Sequence, residues 1–159
     1  MNIQEFINHH PAWFAIAFPV YFVGLWLLVS TIISLAGGWY VLSQTFRARV
    51  PFDGSLWSGQ SGYMRWFVNY GHCLKVGASS NGLYLATLFL FSFMHPPLLV
   101  PWNEINIRRT KLWVFGAYVT VTLGNERPIR LRVTGKLADK LRESAAKHWP
   151  VEENRGSTI

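Results

Sequence analysis

The sequence predicts an α+β protein: one membrane-spanning helix, then a small β-barrel or sandwich capped by a C-terminal amphipathic helix. Three observations predict it. One long run carries no charge, a succession of short strand-like pieces follows, and a single apolar stripe at helical spacing closes the pattern. Composition agrees with such a division. Half of the 159 residues are hydrophobic and 14% are charged, whereas a soluble domain carries about a quarter charged residues.

The uncharged run is Trp13 to Ala36, WFAIAFPVYFVGLWLLVSTIISLA, 24 positions in all. As a helix it is roughly 36 Å long, enough for a hydrocarbon core of about 30 Å. Pro19 falls in the first turns, where a kink is tolerated in a membrane span. Trp13 at one end and Trp39 and Tyr40 at the other are spaced like an interfacial aromatic belt. The competing reading is a cleaved signal peptide, because SLAGG offers small residues. No Lys or Arg precedes the run, however, and the run is longer than the signal core of about 7–15 residues.

All fifteen Lys and Arg follow Phe46, against seven of the eight acidic residues, a net +8 for that part. The positive-inside rule then expects the N-terminus outside and the remainder cytoplasmic, in a plasma or inner membrane crossed once. A lone Cys73 suits a reducing compartment and excludes an intramolecular disulfide. The expected divisions are an external N-terminus (1–12), the span (13–36), a juxtamembrane helix and linker (37–62), the cytoplasmic domain (63–149) and a loose polar tail (150–159). Trp39, Leu42 and Phe46 at helical spacing continue the helix, and Gly, Ser and Pro between Val50 and Gly62 mark the linker.

Leu83 to Met94 is apolar except for Thr87 and Ser92, but twelve residues make only about 18 Å of helix. Pro96 and Pro97 stop any helix there. Basic residues flank the run on both sides, so a crossing would strand one group outside. The run therefore reads as a strand, with a re-entrant loop as the alternative. Further strand-like pieces are YMRWFVNY from Tyr63, HCLKVG, PLLVPW, KLWVFGAYVTVTL from Lys111, where Gly116 suggests a bend between two sheets, and PIRLRV. In the last, Ile129, Leu131 and Val133 face one side and Arg130, Arg132 and Thr134 the other. Leu137, Leu141, Ala145 and Trp149 then form the stripe of the closing helix, with Thr134 as its N-cap and Pro150 beyond its end.

GLYLATLFLF followed by HPPLLVPWNEI resembles the glycine-led strand, turn and P-W-x-x-I strand end of GRAM and bacterial pleckstrin-homology-like domains. Gly82, Leu83, Tyr84, Pro101, Trp102 and Ile105 carry the likeness, which extends over about Tyr63 to Trp149. The resemblance implies a pleckstrin-homology-like barrel behind a single span. That fold hosts lipid-binding, protein-binding and assembly roles alike, so it implies no single function.

Chemistry has little to stand on. His72 and Cys73 are adjacent and, in a strand, point to opposite faces, so they form no nucleophile–base pair. His9 and His10 are two ligands on a terminus, too few for a metal site. His95 reads as a strand-end residue. Acidic residues are scattered and no phosphate-binding glycine loop is present. No enzyme, cofactor or metal is expected, and no nucleic-acid partner.

The basic residues Arg108, Arg109, Lys111, Arg130 and Arg132 read two ways. They form a surface for anionic phospholipid headgroups, or they are solubilising charge with a positive-inside bias. If Leu83–Met94 is one strand, its second face, with Leu88, Leu90 and Met94, is apolar and needs a cover. The closing helix, the bilayer surface, another copy of the chain or a membrane-protein partner would each supply one. The expected function is thus non-catalytic binding or assembly at the inner leaflet, with an accessory or homo-oligomerising subunit as the alternative.

Overall fold

The computed structural model describes residues 11–65, 67–112 and 116–154; His9 and His10 lie outside them. Helix α1 (Pro11–Gly37) runs through Pro19 without interruption and is long and apolar enough to cross a membrane. It ends at Gly38, whose φ of +83° is a left-handed conformation that costs glycine nothing. The helix expected to continue is interrupted there and restarts as α2 (Trp39–Phe46). A side chain there would also have to displace a neighbour. A Cβ on Gly38 would meet the Ile129 side chain at 2.6 Å.

Eight strands follow in one curled sheet: β1 (Ser55–Met64), β2 (Val68–Ser79), β3 (Gly82–Thr87), β4 (Leu98–Val100), β5 (Ile105–Leu112), β6 (Gly116–Leu123), β7 (Ile129–Thr134) and β8 (Glu152–Asn154). Their order is β4-β3-β2-β1-β7-β6-β5-β8, antiparallel throughout except for the parallel β5–β8 pair. Helix α3 (Gly135–Ala145) lies against β2, β6 and β7. Its N-cap is Thr134, whose hydroxyl accepts from the Leu137 N–H, satisfying one of the donors that a helix start leaves unpaired.

The core lies on the inner face of the curl. Leu74, Val76, Leu83, Leu85, Leu98, Ile107, Val119, Leu131 and Leu141 are all essentially inaccessible. Burying each such side chain contributes about 1.5–3 kcal/mol. Trp39 and Leu42 belong to the same core, so α2 is part of the folded domain rather than a connector to it. Outside the curl, the Phe52 ring stacks on Tyr84 at 4.5 Å and fills the space left by Gly77, where a Cβ would meet that ring at 2.6 Å.

Several expectations change. β1 begins at Ser55, inside the stretch read as a linker; its glycines serve a strand with register shifts, and Gly59 has a φ of +68°. Tyr63–Met64 and Val68–Tyr70 belong to two antiparallel strands rather than one, and Arg65, at φ +54°, follows the last β1 pair. The run from Lys111 is two antiparallel neighbours of one sheet rather than a bent strand shared between two sheets. The tail contributes β8, since Glu152 and Glu153 find arginines on β5. The closing helix stops at Ala145, where Ala146 takes a φ of +48°, so Trp149 leaves the stripe and packs at a tilt against Trp102, ring centres 5.6 Å apart.

The largest change concerns Leu83–Met94. β3 stops at Thr87, and Leu88 turns its N–H to the Cys73 carbonyl. A single 3₁₀ turn (Phe89–Phe91) follows, and Met94 has a φ of +57°. Leu88, Leu90 and Met94 therefore sit on a loop between β3 and β4, not on a strand face. Periodicity misleads here because the run is apolar at all but Thr87 and Ser92 and carries no alternation to read.

Candidate functional site

Two features flank the Gly37–Gly38 end of α1: an arginine-lined groove and the 88–97 loop. The groove, about 870 Å³, lies on the outer face of β5–β7. Strand alternation builds it. With Ile129, Leu131 and Val133 turned into the core, Arg130 and Arg132 must point outward. Arg65 and Arg108 complete the basic lining, Tyr118, Thr120, Thr122 and Asn106 supply neutral polar groups, and the Glu153 carboxylate also lies on the wall. The Arg132 guanidinium lies 5.7 Å from the centre of the Tyr118 ring, a cation–π distance. One end of the groove adjoins α1, since the Arg65 Nε is 3.1 Å from where a Gly38 Cβ would be.

The five basic residues predicted as one surface thus divide. Arg130 and Arg132 share the groove with Arg108, but Arg108 also pairs with Glu153 at 3.0 Å. Arg109 faces away from it, held by Glu152 at 2.9 Å and Asp139 at 2.7 Å. The Lys111 backbone pairs with Ala117, and its side chain lies outside the described ones. The Arg109–Glu152 pair is nearly enclosed, with side-chain exposures of 16% and 10%. Hydrogen bonding to Arg109, then to Trp149, holds the Glu152 carboxyl below its usual range. Glu152 in turn keeps the Arg109 guanidinium more firmly protonated. Arg109 is a structural clasp for β8. Arg65 was missed by sequence reading, because it lies in a hairpin bend with no alternation to reveal it.

The second feature is a set of hydrogen bonds that fastens the loop to the helices. Ser34 Oγ donates to the Met94 carbonyl at 2.6 Å, and Trp39 Nε1 donates to that of Pro96 at 2.9 Å. His95, read from sequence as a strand-end residue, is 3% exposed. Its Nδ1–H donates to the Phe93 carbonyl and its Nε2 accepts from the Tyr70 hydroxyl, both at 3.0 Å. This assignment gives the neutral ring a partner at each nitrogen. Burial lowers the His95 pKa, while that of Tyr70 is raised, so both stay uncharged. The Tyr70 oxygen would be 3.0 Å from a Cβ on Gly37, so the cluster sits directly against the helix end.

Cys73 is half-buried and its thiol pKa is pushed up by burial, the opposite of an activated nucleophile. His72, at φ +53°, sits where the β1–β2 register shifts, and its N–H bonds Ser61 Oγ. Among the described residues no three His, Cys, Asp or Glu side chains come together as metal ligands. The chain matches no protein-family model, and no curated protein matches it in sequence.

Proposed function

We propose that this chain is a membrane-anchored, non-catalytic binding module: α1 spans the inner membrane with the N-terminus outside, and the sheet domain, of pleckstrin-homology or GRAM-like type, contacts anionic headgroups at the cytoplasmic leaflet. The carrying observation is the groove lined by Arg65, Arg108, Arg130 and Arg132, whose end adjoins Gly38 at the close of the apolar helix. On this reading the groove would offer guanidiniums to headgroup phosphates beside the helix end. Guanidiniums suit it because their forked donors match phosphate oxygens. The order β4-β3-β2-β1-β7-β6-β5, with one helix after β7, supports the pleckstrin-homology-like reading. A continuous hydrogen-bonded sheet also stays on one side of any bilayer, which supports a single crossing.

The test uses the whole chain in nanodiscs of zwitterionic lipid, titrated with a short-chain, water-soluble phosphatidylglycerol. Each basic residue near the surface is worth about 1 kcal/mol, so Arg130→Ala with Arg132→Ala is expected to weaken binding roughly 30-fold. Raised salt weakens it in the same direction. Binding indifferent to salt, to headgroup charge and to both substitutions would overturn the reading.

A further inference from the structure

We infer that the 88–97 loop is a second membrane contact, its tip Phe89–Phe93 lying among the acyl chains of the leaflet that α1 enters, against the helix itself. The inference rests on the reading of α1 as the membrane span. Its first support is position. The Phe91 ring meets that of Trp26 at 6.5 Å, and Ser34 binds the Met94 carbonyl. Trp26, Ser30, Ser34 and Gly37 fall on one side of α1; Ser30 and Ser34 are buried, while most of the helix surface is bare.

Depth follows from helix geometry. Trp26 precedes Gly37 by eleven residues, which is about 16 Å along the axis. The 27 residues of α1 make about 40 Å, some 10 Å more than a hydrocarbon core. Even if all of that excess lies at the Gly37 end, Trp26 and the Phe91 beside it remain about 6 Å inside the hydrocarbon. A bilayer that holds α1 therefore holds the loop tip.

The chemistry of the tip suits that solvent. Phe89 is 87% exposed and Leu90 64%, with Phe91 and Phe93 also open, and Leu88 to Pro97 carries no Asp, Glu, Lys or Arg. Part of the backbone is provided for internally, which lowers the cost of entering hydrocarbon. The Phe91 N–H bonds the Leu88 carbonyl, and the Ser92 N–H and hydroxyl both bond that of Phe89. The His95 N–H bonds Ser92, and the carbonyls of Phe93, Met94, Pro96 and Pro97 accept from His95, Ser34, Trp39 and Ala48. Pro96 and Pro97 bring no N–H that would need a partner.

The experiment places single cysteines, in a Cys73→Ala background of the full chain, at Leu90, at Leu25 on α1 and at Glu126 in the β6–β7 turn. Each is labelled with a nitrobenzoxadiazole fluorophore, and the chain is reconstituted into liposomes with nitroxides on the acyl chains. Blue-shifted, strongly quenched emission is expected at Leu90 and Leu25, and neither effect at Glu126. Quenching at Leu25 with none at Leu90 overturns the inference and leaves the anchor intact. A blue shift at Leu90 without quenching also overturns it, and assigns the tip to a second copy or another protein. An unquenched Leu25 refutes the anchor itself. A second label at Phe89 guards against a local disturbance at Leu90 and is expected to report the same depth.

Discussion

Mild acid should loosen the junction between α1 and the sheet, and His95 is the group responsible. In the fold its ring is neutral, enclosed by Trp39, Tyr70 and its own loop, with its pKa lowered from 6.5 by burial. The unfolded chain titrates near 6.5, so below that pH protons bind the unfolded state preferentially. Stability is fully present above 6.5 and falls as pH drops, until the folded pKa is reached. At pH 5.5 the unfolded imidazole is mostly charged, and linkage keeps the loss on the order of 1 kcal/mol. For a chain of this size that lowers the melting temperature by a few degrees at most. The window lies clear of Glu152, whose depressed carboxyl pKa contributes stability that is lost only below about 4.5. The assay is thermal unfolding of the full chain in detergent at pH 7.5, 6.5 and 5.5, beside His95→Gln. The substitution should cost stability at pH 7.5 yet remove most of the loss between 6.5 and 5.5. An equal acid loss in His95→Gln would refute the assignment.

Other perturbations probe separate parts of the fold. Gly82→Ala drives a Cβ into the Val100 carbonyl and to 3.1 Å from the Pro101 Cα, and should destabilise by at least about 2 kcal/mol in chemical denaturation. Gly71→Ala, with nothing within 4 Å, should stay within about 0.5 kcal/mol. Arg109→Ala leaves the Glu152 carboxylate without its main partner and is expected to cost about 1.5–3 kcal/mol; hydrogen exchange should show β8 released first, and unchanged protection of 152–154 would contradict the clasp. Cysteines at Ser80 and Asn125, turns of one sheet, should be labelled from the same side of sealed vesicles. Labelling from opposite sides would mean that the stretch between them crosses.

What the sequence determines here is whatever depends on neighbours along the chain. The uncharged run of α1, the alternation of Ile129, Leu131 and Val133, and the Thr134 cap with Leu137 and Leu141 behind it are all read within one element, where the period of the backbone is enough. They gave the helix, the outward arginines of β7 and the closing helix. The tertiary structure decides what depends on partners far away in sequence. Ser34 and Met94 are 60 residues apart, Trp39 and Pro96 57, and Arg109 and Glu152 43. No local pattern announces that His95 will meet Tyr70, that Arg109 will be spent on a clasp while Arg65 joins the groove, or that an almost wholly apolar run will leave the sheet after Thr87. Such choices follow from which distant surface satisfies a buried hydrogen bond or an ion pair, because leaving either unpaired costs more than local propensity can offset.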